Sequence, residues 1–118
     1  MNEILQQDIA PAIPVEDQFR EIKALGARAK VAQQANLDVY LAAADAIPNI
    51  KLEIGRLREV TFRAVGEGTG KARDLDRFDE YYYHLFLWDR DAQQIAGAYR
   101  LGRTDLILAE FGFEGLYG

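Results

Sequence analysis

The spacing of hydrophobic positions predicts two helices in the first part of the chain. Phe19, Ile22 and Leu25 recur at helical spacing behind two acidic residues, so we expect a helix over residues 15–25. A longer helix is expected over residues 48–65, because a proline opens this stretch and glycines follow it. Its hydrophobic stripe, at helical spacing, consists of Ile50, Ile54, Leu57 and Thr61.

Other segments carry patterns that are less regular or typical of strands. Gly26 is one candidate for the end of the first helix, and the alternative is that the alanine-rich residues 27–35 continue as a second helical segment. Residues 37–43 (LDVYLAA) are short and apolar, and residues 81–88 (YYYHLFLW) are apolar on both faces, which is typical of a central, covered strand. Residues 89–94 then form a hairpin loop and residues 95–101 (IAGAYRL) a returning strand. Helices followed by such a hairpin predict an α+β fold with an antiparallel sheet.

Composition and charge exclude several classes of function. The chain has 118 residues, of which 49% are hydrophobic and 28% charged, as expected for one globular domain. It contains no cysteine and no serine, which excludes disulfides, thiolate metal sites and Ser-His-Asp catalysis in this chain. A net charge of −5 disfavours nucleic-acid binding. Since no apolar run of membrane-spanning length and no signal-peptide pattern occurs, we expect a cytoplasmic protein.

Two features resemble functional motifs, but the residues around them favour structural roles. The segment GEGTGK (66–71) has one residue too few between its glycines for a phosphate-binding loop and follows a helix, so we interpret it as a flexible, glycine-rich helix exit. His84 is the only histidine and lies within the predicted central strand. A hydrogen-bonded histidine packed under the sheet is favoured over a general base, and both interpretations stay open. A zinc site is excluded, and we expect no bound metal.

An acidic cluster precedes the central strand. Asp74, Asp76 and Asp79 form the pattern D-x-D-x-x-D beside Arg73 and Arg77. A solvated loop is one interpretation, and a calcium loop is disfavoured because the required glycine and distal glutamate are missing. The functional alternative is a substrate site, since clustered carboxylates can hold a cationic amine and later take its proton.

Two arginines are candidate partners of this cluster. Arg100 lies inside the second hairpin strand, where alternation puts it on one face with Ala98 and opposite Ile95. An arginine covered there needs an anionic partner, and the chain brings the aspartates close to it. Arg58 on the long helix is a second candidate. We therefore predict at least one guanidinium–carboxylate contact between these arginines and the three aspartates.

Three segments together resemble a known family. LREVTFR (57–63), DLDRFDEYYYHLFLWD (74–89) and GAYRLG (97–102) resemble the GNAT-superfamily N-acyltransferases that make ornithine lipids, including bacterial proteins called hemolysins. Longer members of that family carry a lysophospholipid-type acyltransferase domain before the GNAT-like domain. The resemblance implies a division into residues 1–36, a linker and helical region, and residues 37–118, the N-terminal half of a GNAT-like N-acyltransferase fold.

A related resemblance is to the acyl-homoserine-lactone synthases, whose motif combines an arginine before a Val-Phe pair, an E-x-D-x-x-D cluster and a strand ending in Arg-Leu. The matching residues here are Arg58, Val60, Phe62, Asp74, Asp76, Asp79, Arg100 and Leu101. Asp74 replaces the glutamate of that motif and Thr61 splits the Val-Phe pair, which favours the lipid-type family. The alternative synthase would take S-adenosylmethionine as its amine donor.

The resemblance implies a reaction and its participants. A fatty acyl group would pass from acyl-carrier protein or acyl-CoA to the amine of an amino acid such as ornithine, with no tightly bound cofactor and no metal. Asp74, Asp76 and Asp79 would form the catalytic, amine-side cluster, and Arg58 and Arg100 would bind that cluster or the substrate carboxylate. Expected partners are acyl-carrier protein, the amino-acid acceptor and the inner-membrane surface, with no nucleic acid.

The resemblance also implies that the donor-binding half of the fold is missing, with GFEGLYG (112–118) as its beginning. We therefore expect the 118-residue chain to be inactive alone. The alternative from another class is a non-catalytic interaction module that pairs through the sheet edge at residues 95–101, forming a homo-oligomer or a complex with another chain. Either way, apolar surface and self-association are expected.

Overall fold

The computed structural model describes residues 6–101, which form an antiparallel four-stranded sheet with helices packed against it. The strand order is β1-β2-β3-β4, so every neighbouring pair is also consecutive in the chain. The elements are α1 (Val15–Leu25), β1 (Lys30–Gln34), β2 (Leu37–Ala43), α2 (Pro48–Ala64), the single turn α3 (Phe78–Tyr81), β3 (Tyr83–Asp89) and β4 (Gln94–Leu101). The predicted α+β fold class, both long helices, the strand at residues 37–43 and the hairpin are confirmed. Residues 112–118, where a second half was expected to begin, lie outside the described part.

Of the two alternatives for the end of the first helix, termination at Gly26 is confirmed and the helical continuation over residues 27–35 is wrong. Only a short 3-10 turn forms at Ala27–Ala29, and Lys30–Gln34 is an edge strand paired with β2. Gly26, at φ 75°, ends α1 in a conformation that a helix cannot continue. The helix propensity of alanine favours a helix by less than about 1 kcal/mol per residue. Packing against a neighbouring strand contributes a similar amount per residue, so the pairing with β2 can override the propensity. β1 thus joins the sheet of β2, and the predicted division at residue 36 stays a prediction.

The core lies between the two long helices and one face of the sheet. β2 and β3 alternate strictly between buried and half-buried residues, with Tyr40 and Phe86 stacked at a ring-centroid distance of 5.5 Å. Ile50 and Ile54 of α2 are buried against this face together with Trp88. Thr61, predicted to continue their stripe, is exposed, because an open groove separates this end of the helix from β4.

A β-bulge in the second hairpin changes which residues share a face. Leu87 pairs with Gly97 whereas Trp88 pairs with Ile95, so Ala96 is an extra residue in β4. Ile95 is buried in the same core as Trp88, and Arg100 lies opposite the buried His84. Ile95 and Arg100 therefore share the helix-facing side of the sheet. The predicted placement of Ile95 opposite Arg100 is wrong because strict alternation does not allow for the bulge.

The N-terminal segment is tied to α2 by glutamate side chains. Glu21 of α1 caps α2, with its two carboxylate oxygens accepting from the backbone N–H groups of Asn49 (2.7 Å) and Ile50 (2.8 Å). Glu53, which lies off the predicted stripe, is nevertheless only 5% exposed and accepts from the backbone N–H of Ile13 at 3.0 Å. Residues before α1 therefore run along the long helix.

Within residues 6–101, no helix combines the length and the apolar character needed to cross a membrane.

Candidate functional site

The acidic segment, residues 74–79, packs directly on α2. Gly55 lies under Leu75, and a Cβ added at Gly55 would come within 2.8 Å of Leu75 Cδ2. The backbone N–H of Asp74 donates to the Gly55 carbonyl at 2.9 Å. A glycine in the middle of a helix is unfavourable by about 0.5–1 kcal/mol relative to alanine, and here it permits the close approach that positions the aspartates.

Asp79 is the centre of the site. Its side chain is 1% exposed, and its Oδ1 accepts from Arg58 Nη1 at 2.8 Å. Its Oδ2 accepts from the backbone N–H of Asp76 at 2.8 Å, which fixes the turn between the two aspartates. Because the buried carboxylate has both a cation and a backbone donor, the cost of its desolvation is offset.

Arg100 joins β4 to the same carboxylates. Its Nη1 lies 2.8 Å from Asp76 Oδ1 and 3.6 Å from Asp79 Oδ1, and its guanidinium stacks over the Tyr82 ring at 5.3 Å from the centroid. Burial acts to lower the pKa of Arg100, but the hydrogen bond and charge of Asp76, with the charge of Asp79, raise it overall. Arg100 therefore remains a cation at every pH at which the protein works.

The predicted arginine–aspartate contact is confirmed by three ion pairs among four residues. Arg58, Arg100, Asp76 and Asp79 form what we call the Arg-Asp cluster. Asp74 contributes through its backbone, since its carbonyl accepts from Arg58 Nη1 at 3.4 Å. The cluster holds two positive and two negative charges, and Asp76, with 54% of its side chain exposed, is the carboxylate that solvent reaches. The catalytic and substrate-binding roles of these residues remain predictions.

His84 lies against the inner side of the cluster. Its side chain is completely buried, and Nε2 is 2.8 Å from the backbone carbonyl oxygen of Asp79. The prediction of a hydrogen-bonded histidine packed under the sheet is confirmed. A carbonyl can only accept, so Nε2 donates and carries the proton.

A second charged group, which the sequence analysis missed, organises the glycine-rich loop. Glu59 is completely buried, and its carboxylate accepts from the backbone N–H groups of Thr69 and Gly70 at 3.0 Å each. It also accepts from the Thr69 hydroxyl at 2.6 Å and from Arg63 Nε at 3.0 Å. A Cβ at Gly68 would lie 2.7 Å from Glu59 Oε2, so a residue without a side chain is required there. The loop is an anion-binding nest that the protein's own carboxylate fills.

These donors change the acidity of Glu59. The Thr69 hydroxyl hydrogen bond, aided by the backbone donors and Arg63, lowers the pKa of Glu59 to about 2, against the opposing effect of burial. Glu59 is therefore ionised across the physiological range. The signal available in the sequence was a glutamate four residues before an arginine and just ahead of a glycine-rich turn, a spacing that allows both partners to reach one carboxylate.

A groove adjoins the Arg-Asp cluster between α2 and β4. Its volume is about 280 Å³. The walls are formed by one side of α2 and by the bulged start of β4, and they consist of Ile54, Leu57, Arg58, Thr61 and Phe62 with residues 95–98. Among residues 6–101, no three histidine or acidic side chains gather closely enough to hold a metal ion.

Comparisons with known proteins place this site in a family context. Residues 57–118, more than half of the chain, match the family described as acetyltransferase (GNAT) domain. The chain is 39% identical over 89 residues to a glycine N(alpha)-acyltransferase of Bacteroides thetaiotaomicron, covering 72% of this chain and 26% of the relative. It is 41% identical over 76 residues to a protein of the same name from Phocaeicola vulgatus, covering 62% of this chain and 23% of the relative. The chain thus spans about a quarter of the length of these relatives. No solved structure matches it.

Proposed function

Because the chain belongs to the acetyltransferase (GNAT) domain family, we propose that it forms part of the active site of an N-acyltransferase, including the residues that bind the amine. The enzyme moves a fatty acyl group from a thioester, carried by acyl-carrier protein or coenzyme A, to the amine of an amino acid. The observation that carries this proposal is the Arg-Asp cluster, which gathers two carboxylates and two guanidiniums beside an apolar groove.

The reaction needs an aligned amine more than it needs a covalent intermediate. The amine nitrogen, once it has lost its proton, attacks the thioester carbonyl carbon, so that a C–N bond forms, the C–S bond breaks and the thiol leaves with a proton. Asp76 is the exposed carboxylate of the cluster and receives the ammonium group and its proton. Asp79, held by Arg58, keeps Asp76 and Arg100 in place, because Asp79 is buried and its contacts are directional.

Glycine is the acceptor that we favour over ornithine. Both curated relatives are named glycine N(alpha)-acyltransferases. The charges of the cluster agree with this choice, since its two cations and two anions balance and suit a zwitterion with no net charge. Ornithine brings an additional ammonium group, which the cluster offers no surplus carboxylate to match. A role in lipid synthesis, with the enzyme at the inner membrane, and membership of the ornithine-lipid family remain further proposals.

The test is transfer by the full-length protein to each amino acid from an acyl thioester, followed by mass spectrometry of the product. We expect N-acylglycine, and we expect Asp76→Asn to lower kcat/KM by about a hundredfold, within the range that a positioned acid or base contributes. The matched control is Asp91→Asn, an exposed acid in the turn at the other end of β3. Equal activity of Asp76→Asn and Asp91→Asn would defeat the site assignment.

A further inference from the structure

The groove between α2 and β4 has walls of an unusual composition for an amino-acid site. Ile54 and Ile95 form its floor and are 1% and 7% exposed, while Phe62 on its rim is 42% exposed. The β-bulge widens the groove at residues 95–98, where an extra residue bends β4. Arg58 is the only ionised side chain in the lining. The groove is therefore apolar along its length and charged at one point.

The charged residue of the groove, Arg58, also belongs to the Arg-Asp cluster. Arg58 lines the groove and also contacts Asp79 at 2.8 Å. On the facing strand, Ala98 lines the groove two residues before Arg100 of the cluster. The groove and the cluster are thus continuous, and a ligand that occupied both would have an apolar body and a polar end.

We propose that the groove holds the hydrocarbon chain of the acyl donor, with the reacting carbonyl at the Arg58 end. This inference rests on the proposed N-acyl transfer and names the part of the donor that the described residues bind. The groove volume of about 280 Å³ is close to the lower end of the range of about 300–1,000 Å³ for small-molecule pockets. An acceptor as small as glycine leaves most of this space empty, and its charges gain nothing from isoleucine and phenylalanine walls. A hydrocarbon chain fills the space and removes the apolar walls from water.

A series of fatty acids of increasing length, titrated onto the protein, tests the groove directly. Trp88 is the only tryptophan, is 2% exposed and pairs with Ile95 of the groove floor, so its fluorescence reports on occupancy. We expect each added methylene to tighten binding about fourfold until the groove is full, after which the affinity levels off.

A filling substitution locates the binding site. Ala96 is exposed and lines the groove, so Ala96→Phe should occupy the space with little effect on folding and weaken dodecanoic acid binding about tenfold. Ala92→Phe, in the exposed turn before β4, is the matched control and should bind as the unchanged protein does. Equal affinities of the unchanged and Ala96→Phe proteins would overturn the proposal. So would a loss of binding on Tyr99→Ser, because Tyr99 lies on the other face of the sheet.

Failure of the groove proposal and failure of the proposed function give different experimental results. Asp76→Asn should lower transfer without weakening dodecanoic acid binding, since Asp76 does not line the groove and its charge does not attract a carboxylate. Binding that depends on Ala96 in a full-length protein without transfer activity would support the groove and contradict the function. Transfer whose preferred chain length is the same in Ala96→Phe and the unchanged protein would support the function and contradict the groove.

Discussion

Glu59 shows how one buried side chain determines the conformation of a loop. Its carboxylate faces the loop after α2 and accepts from Thr69, Gly70 and Arg63. Arg63 continues the contact outward, with Nη1 donating to the Gln7 carbonyl at 2.8 Å and Nη2 to the Lys71 carbonyl at 2.9 Å. The Glu59–Arg63 pair therefore connects the loop to the N-terminal segment, and the contacts depend on an ionised glutamate.

The lowered pKa of Glu59 predicts a specific dependence of stability on pH. A carboxyl group with a lower pKa in the folded than in the unfolded protein stabilises the fold above its unfolded pKa and loses that effect as the pH falls. With an ordinary value of 4.5 and a folded value of about 2, the loss occurs between about pH 5 and pH 2. In urea unfolding, Glu59→Gln should lower stability at pH 7, and its difference from the unchanged protein should shrink across that window.

The control for this experiment is Glu67→Gln, because Glu67 is an exposed glutamate of the same loop. It should alter stability by less than about 0.5 kcal/mol, as surface substitutions usually do. If the difference between Glu59→Gln and the unchanged protein stayed constant from pH 7 to pH 2, the carboxylate would not be the titrating group.

At the scale of elements, the contact between α2 and the acidic segment determines where the cluster forms. Leu75 lies over Gly55, and the flanking Asp74 donates to the Gly55 carbonyl. The single turn α3 then places Asp79 beneath Asp76, and β3 begins with the residues opposite the end of β4. Two carboxylates and two arginines from α2, the acidic segment and β4 thus meet because one helix residue lacks a side chain.

Gly55→Ala should therefore destabilise the protein although alanine favours helices. The helix gain of about 0.5–1 kcal/mol is smaller than the cost of about 1–3 kcal/mol for forcing a methyl group into a packed contact. We expect a net loss of about 1 kcal/mol in chemical unfolding, and Leu75→Ala in the same protein should recover part of it.

The matched control for that test is Gly97→Ala, since a Cβ at Gly97 meets no atom within 4 Å. It should leave the free energy of unfolding nearly unchanged. Independent, additive effects of Gly55→Ala and Leu75→Ala would show that the two residues are not in contact.

At the scale of the whole molecule, the described helices cover one face of the sheet and leave the other more exposed. On that second face Tyr99 is 63% exposed and Leu101 38%, and the outward residues of β2 and β3 are half-buried. The expectation that YYYHLFLW is covered on both faces is thus met only on the helix side within residues 6–101. Apolar surface of this kind promotes dye binding and association.

We accordingly expect the 118-residue protein to bind a hydrophobic dye and to increase in mean mass with concentration in light scattering. Tyr99→Ser should reduce both signals, because it removes the most exposed aromatic ring of that face. Val65→Ser, at an equally exposed position at the end of α2, is the control and should reduce neither. A monomer at all concentrations, without dye binding, would contradict this expectation.

Local sequence patterns were sufficient to predict the helices and strands in which hydrophobic residues recur at regular spacing. Helical spacing located α1 and α2, and apolar runs located β2 and the β3–β4 hairpin, because burial selects the residues on one face of each element. The hairpin also made the contact between Arg100 and the aspartates predictable, since a turn brings neighbouring segments together. The family resemblance to GNAT N-acyltransferases could likewise be recognised from the order of three segments.

Tertiary structure decided the features that depend on residues far apart in the chain. Pairing with β2 made Lys30–Gln34 a strand despite its alanine-rich context, and the bulge at Ala96 moved Ile95 to the face of Arg100. The burial of Glu59 and the approach of Leu75 to Gly55 have no periodic signal, because each depends on how a loop returns to a helix. Sequence patterns report the average environment of a face, whereas a contact between a loop and a helix is selected by the packing of the whole molecule.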